Sequence, residues 1–212
     1  MPEIKENKTT YLLWSTLAGT ISFFVSAVIT SIVLSPLDFA IIDTILAGGI
    51  GGLFLGLFLM NRHKIYKMGL AGLVAIPVGF WGAFILAGGA DLIFSAINVN
   101  TENPNIYNIE NIIGIIFMGI ICGAVFGATI YGRKSIWTFS AVCGLVSFPF
   151  GILVGFFNSG HPIKATFENL FAVFGPIDLN FLAIITSFGV GIGLSIGLFS
   201  ILKQKSTEKG NM

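Results

Sequence analysis

Six stretches of this chain run for about 20 residues or more with almost no charge in them, long enough to cross the hydrocarbon core of a bilayer as helices. They cover residues 11–34, 39–60, 68–97, 112–131, 136–157 and 179–202. In hydrocarbon every backbone N–H and C=O must be satisfied within the protein, which leaves only helices and closed barrels. Barrel strands need only ~10 residues and alternate apolar with polar side chains, so these runs are helical. Composition agrees. The chain is 10% charged, whereas a soluble domain carries about 25% to cover its surface. Its 27 glycines also suit transmembrane helices, which use more Gly than soluble ones. The expected fold class is an all-α polytopic membrane protein with six transmembrane helices, one domain over residues 1–212 with polar tails at 1–10 and 204–212. Its first partner is the lipid bilayer, and a net charge of +1 gives no reason to expect nucleic acid. The start MPEIKENKTT is polar and the first apolar run is too long for a signal core, so that run is expected to stay as a helix.

Charge placement orients the helices. Counted on alternate sides of the six runs, ten of the 11 Lys and Arg residues fall on one side. They are Lys5 and Lys8, then Arg62, Lys64 and Lys67, then Arg133 and Lys134, then Lys203, Lys205 and Lys209. The other side holds Lys164 alone, with Asp38, Asp91, Glu102, Glu110, Glu168 and Asp178 on it or at its edge. The positive-inside rule makes the basic side cytoplasmic, with both termini inside. Two outer loops carry short helices. In KATFENLFAVFG, Phe167, Leu170, Phe171 and Phe174 share one helical face, which lies at the interface or tucks against the bundle. ADLIFSAI after Gly89 reads as a second such helix with Asp91 as its N-cap.

The even-numbered runs share a pattern. Gly48, Gly52 and Gly56 precede Arg62; Gly119, Gly123 and Gly127 precede Arg133; Gly189, Gly193 and Gly197 precede Lys203. The odd runs echo one another, with GLVAIPVG from Gly72 matching GLVSFPFG from Gly144 and Pro77 matching Pro149; GTISFFVS from Gly19 is a fainter copy. The chain therefore reads as three tandem α-hairpin repeats over residues 11–62, 68–133 and 136–203, related by an axis along the membrane normal. Glycines four apart let a neighbouring backbone approach closely, so the even helices are expected to pack tightly, about a shared centre. They serve as glue within one chain or bind other membrane subunits or a second copy. Pro77 and Pro149 should kink their helices.

Catalysis needs acids, bases, nucleophiles or metals brought together, and the spans offer almost none. His63 and His161 lie in polar turns, away from any apolar run. No Walker, GxSxG or HExxH motif occurs, and no enzyme, cofactor or metal site is expected. Cys122 and Cys143 lie inside apolar runs at one depth, where they could meet across the fourth and fifth helices as packed thiols. Asp43 lies five residues beyond Asp38, ~8 Å deep by helical rise. An ionisable group there is costly and points to function; the bland alternative is a hydrated interface residue capped by Thr44. Asp43 and Asp91 are the candidate solute or ion contacts.

Two functions fit. The first is a small transport component, a solute-binding or permease-like subunit whose acidic outer face suits a cationic or small neutral solute. The second is a non-transporting scaffold or assembly subunit. In size and helix count the chain resembles the substrate-binding subunits of vitamin and metal importers that borrow a separate ATPase, a likeness of scale without a shared motif. The triplicated hairpin plan is similar to that of mitochondrial carriers. Their PxDxx[KR] signature is absent, because after Pro36 and Asp38 the basic position is Ile41. The expected location is a prokaryotic cytoplasmic membrane. With Cys122 and Cys143 replaced by Ser, Arg62→Cys is expected to react with an impermeant maleimide only in inside-out vesicles. Labelling in intact cells would invert the topology.

Overall fold

The computed structural model describes residues 8–34, 40–59, 64–96, 104–175 and 177–210, and every regular element among them is helical. The order is α1 (Lys8–Leu34), α2 (Ala40–Phe58), α3 (Ile65–Ala96), α4 (Pro104–Tyr131), a 3-10 turn (Arg133–Ser135), α5 (Ile136–Asn158), α6 (Pro162–Phe171), a second 3-10 turn (Ala172–Phe174) and α7 (Leu179–Gly210). Five of these, α1, α3, α4, α5 and α7, are long and apolar enough to cross a membrane. The remaining apolar run, second along the chain, forms α2, a shorter helix of 19 residues. These elements make the chain a multi-pass membrane protein.

Polarity along α1 shows what surrounds the protein. Leu13, Leu17, Ile21, Val25 and Ile29 repeat every four residues and all face outward, Leu13 being 60% exposed. Ser15, Ser22 and Ser26 on the other face are 0% exposed. A soluble helix does the reverse. An apolar face outside and hydroxyls inside suit hydrocarbon as the solvent. The hydroxyls find partners within the chain: Ser22 donates to the Ala18 carbonyl at 2.6 Å, Thr20 to Thr16 at 2.8 Å and Ser195 to Gly191 at 2.7 Å.

α1, α2, α3, α4, α5 and α7 close a ring in which each packs on the next and α7 returns to α1. Of the α7 span, 67% is buried, against 39% for each of the other four long spans, so α7 is the most enclosed helix. Phe23, Phe126, Phe139, Phe188, Ile76 and Ile192 are fully buried between them.

The nine glycines of the even runs each meet an odd helix, and this is where the expected packing of even helices on one another fails. A methyl group on Gly48 or Gly52 would strike the carbonyls of Gly72 and Met68 on α3. On Gly119 and Gly123 it would strike those of Cys143 and Phe139 on α5, and on Gly189 and Gly193 those of Gly19 and Ser15 on α1. Gly56, Gly127 and Gly197 are closed off by Ile65, Phe139 and Leu12 in turn. A glycine face needs a helix that can come close: for α2 and α4 it is the neighbour across the basic turn, and for α7 it is α1. The contacts also shift one match between the odd runs. Gly72 and Cys143 occupy equivalent places, a residue away from the Gly72–Gly144 pairing of the sequence motif.

Two further differences concern Asp91 and the cysteines, and the prolines are placed within their helices. α3 runs unbroken through Asp91, so Asp91 does not cap a separate helix. Gly88 and Gly89 cost about 1 kcal/mol each in a helix, too little to break one that no proline interrupts there. Pro77 and Pro149 lie inside α3 and α5, which continue through them. The two thiols take separate partners. Cys122 donates to the Ala75 carbonyl on α3 at 3.1 Å, and Cys143 faces the Ser195 hydroxyl on α7 at 3.8 Å.

At the end opposite the basic turns, α6 starts with Pro162, where the missing N–H is not needed. It tucks Phe167 against Phe157, ring centroids 5.4 Å apart, and Phe171 against Phe24 at 5.9 Å. Leu170, expected on the same apolar face, points outward. Asp178 caps α7 by accepting from the Asn180 and Phe181 N–H groups at 2.9 and 3.2 Å.

Replacing Gly52, Gly123 or Gly193 by Val forces two backbones apart, an overpacking that costs about 2–3 kcal/mol. Each variant is expected to lower the melting temperature in detergent. Gly114, with nothing within 4 Å of an added methyl, is the control: Gly114→Ala should leave stability unchanged or slightly raised.

Candidate functional site

Asp43 sits in the first turn of α2, where a carboxylate complements the helix dipole. Its environment is set by the seam between α1 and α2. Ser26 on α1 donates to the Ala47 carbonyl on α2. The helices run antiparallel, so one turn further from the basic end brings Thr30 on α1 level with Asp43 and Thr44 on α2. Thr30 and Thr44 are 2% and 4% exposed, which makes this stretch of seam polar and enclosed. The Thr30 hydroxyl finds no hydrogen-bond partner among the described residues. Asp91 lies on the backbone of α3 near its end, and its side chain is outside the described residues.

The seam between α3 and α4 provides an internal comparison. There Gly79 lies against the Met118 carbonyl, as Ser26 lies against that of Ala47. One turn further on, the places of Thr30 and Asp43 are taken by Ala83 and Gly114. The two seams therefore differ in chemistry at this level, the first carrying hydroxyls and a carboxylate where the second has Ala83 and Gly114.

Among the described residues, cavities lie at both ends of the bundle. Near α6, a small pocket of about 110 Å³ is lined by Phe24, Phe150, Phe157, Phe167 and Phe171, with Thr186 beside them. The lining suits an apolar group. At the basic end, a cavity of about 640 Å³ is lined by Lys64, Lys134 and Lys203, with Tyr131, Thr138 and Phe199. The Lys64 ammonium stands 4.7 Å over the Tyr131 ring, a cation–π contact. Tyr131 packs on Phe199 and Phe139, centroids 5.1 and 5.7 Å away. In the sequence these lysines served only to orient the helices. Their convergence is a tertiary fact; of the three, only Lys203 belongs to the repeated spacing of a basic residue after each glycine run.

Among the described residues no three His, Cys, Asp or Glu side chains gather to hold a metal. Compared with known protein families, curated proteins and solved structures, the chain finds no match.

Without a ligand, the unpaired Thr30 hydroxyl is a liability of about 1–3 kcal/mol. Thr30→Val, which keeps the shape, is therefore expected to raise the melting temperature of the purified protein. A fall would show that the hydroxyl is already hydrogen-bonded.

Proposed function

We propose that this chain is a small transport component, a solute-binding or permease-like subunit of a prokaryotic cytoplasmic membrane, and that Asp43 contacts a small cationic or neutral solute. One observation carries the reading: the buried Thr30 and Thr44 stand beside the half-buried Asp43, where the equivalent positions of the α3–α4 seam carry Ala83 and Gly114. Ionisable groups within apolar spans are costly and face interiors or ion pathways rather than lipid. A carboxylate with buried hydroxyls around it is a ligand set for a hard cation or an amine. No catalytic role is assigned.

The architecture proposed with it has six crossings. At 1.5 Å per residue α2 is about 28 Å long, close to the ~30 Å hydrocarbon core. Three tandem hairpins are supported by the equivalent contacts Gly52–Met68, Gly123–Phe139 and Gly193–Ser15. Their glycines stand 71 and 70 residues apart. In this arrangement the glycine faces join successive repeats, the last to the first. The scaffold reading loses its main support here, because the glycine surfaces that would have bound a partner are used inside the chain.

A thermal-shift series in neutral detergent with monovalent cations, divalent cations and small amines tests the reading. Saturable stabilisation by one of them is expected, about 2.7 kcal/mol at a hundredfold excess over Kd. Asp43→Asn should abolish it. No stabilisation by any of these, with other subunits co-purifying, would replace transport by the scaffold.

A further inference from the structure

We propose that the pocket under α6 binds a small neutral amphiphile, its phenyl-sized apolar group among the phenylalanine rings and its hydrogen-bonding end at Glu168. The site is separate from Asp43, which lies on the seam between α1 and α2, and it stands without the transport reading.

Four helices supply the walls. Phe24 is on α1, Phe150 and Phe157 are on α5, Ala183 is on α7, and Phe167 and Phe171 are on α6. The rings already meet in pairs, Phe24 with Phe171 at 5.9 Å and Phe157 with Phe167 at 5.4 Å. They still leave about 110 Å³ between them. Atoms lining such a space lose dispersion contacts, and an occupant restores them. Apolar cavities of about 150 Å³ stay dry and take up molecules the size of benzene. This one therefore holds a ring or a short branched alkyl group, not a whole lipid chain.

A second cavity, of about 440 Å³, adjoins the first. Phe171 and Leu179 line both, and Glu168 lines the second. Glu168 in turn pairs with Lys164 at 3.9 Å, both side chains about half exposed. A carboxylate acceptor and an ammonium donor thus stand side by side next to an apolar recess. A hydroxyl or amide can use both partners and needs no charge of its own. Apolar walls with a few convergent polar groups are the usual make-up of a small-molecule site.

α6 is built as the cover. None of its residues is buried. Gly160 before it and Gly175 beyond it have φ of 69° and 93°, with nothing within 4 Å of an added methyl. Glycine takes that left-handed conformation freely, so both ends can act as hinges. The walls beneath are held together instead, since Asn180 on α7 donates to Asn158 on α5 at 2.9 Å. Lifting α6 opens the pocket without parting α5 from α7.

The test uses the full chain in phosphatidylcholine nanodiscs. Benzyl alcohol is the probe, and toluene and glycerol each lack one of its two ends. Benzyl alcohol is expected to stabilise the chain saturably relative to Ala183→Leu, which fills the pocket and shares any effect of the probe on the bilayer. It should also slow amide exchange over residues 162–171. Toluene should bind about tenfold more weakly, and glycerol should have no effect. Glu168→Ala should bring benzyl alcohol down to the level of toluene and leave toluene unchanged. Leu170→Ala, exposed on the same helix, and Asp43→Asn should change neither. If Ala183→Leu does not fold, Phe171→Ala takes its place, with binding weakened about tenfold. Equal responses in the full chain and the pocket variant, or equal responses to benzyl alcohol and glycerol, would overturn the site. Loss of the response in Asp43→Asn would overturn its separateness.

Discussion

The close approach of backbones at glycine is the contact on which the rest of this bundle depends. Lipid tails are as apolar as leucine, so no hydrophobic drive brings helices together once they are in the membrane. Dispersion between well-fitted surfaces must do it, and that force falls quickly with distance. Along α2, α4 and α7 the glycines remove the side chain that would hold a neighbour away. The carbonyls of Met68, Phe139 and Ser15 then lie where a methyl group would otherwise sit. The three tight seams, α2 with α3, α4 with α5 and α7 with α1, fix the ring in outline.

The remaining seams are built differently. Between α1 and α2 it is the Phe23 ring that meets Gly51, between α3 and α4 the Cys122 thiol that meets Gly79, and between α5 and α7 the Cys143 side chain that meets Gly191. Side chains fill these seams chiefly, so they can differ in chemistry without disturbing the ring. That freedom explains how one seam carries Thr30, Asp43 and Thr44 while its counterpart has Ala83 and Gly114. Backbone contact makes one set of interfaces uniform; side-chain contact leaves the other set open to specialisation.

Much of this was readable from residue order. Length and apolarity marked six helical runs, of which the structure has five as long apolar helices and the second as the shorter α2. Spacing by four picked out the nine close-contact glycines. What a glycine face cannot reveal is its partner, since any helix with an unobstructed backbone satisfies it. The expectation of even helices meeting at a centre failed for that reason. Asp91 misled because a capping residue and a residue inside a helix look alike when only two glycines precede them. Cys122 and Cys143 share a depth, but depth says nothing of the direction round the helix axis. Lys64, Lys134 and Lys203 could be seen as basic but not as neighbours, because their meeting depends on how α3, α5 and α7 are arranged round the ring.

The two kinds of seam also divide the mechanical work. Separating α7 from α1, or α2 from α3, exposes carbonyls that are packed against glycine and loses contact along several turns at once. Shifting α1 against α2 moves mainly Phe23, Ser26 and Thr30 over their partners, and side chains can change rotamer without breaking a helix. The solute proposed for Asp43 would sit at this side-chain seam. The basic cavity, by contrast, is bordered by the turn between α4 and α5, helices joined by a glycine seam.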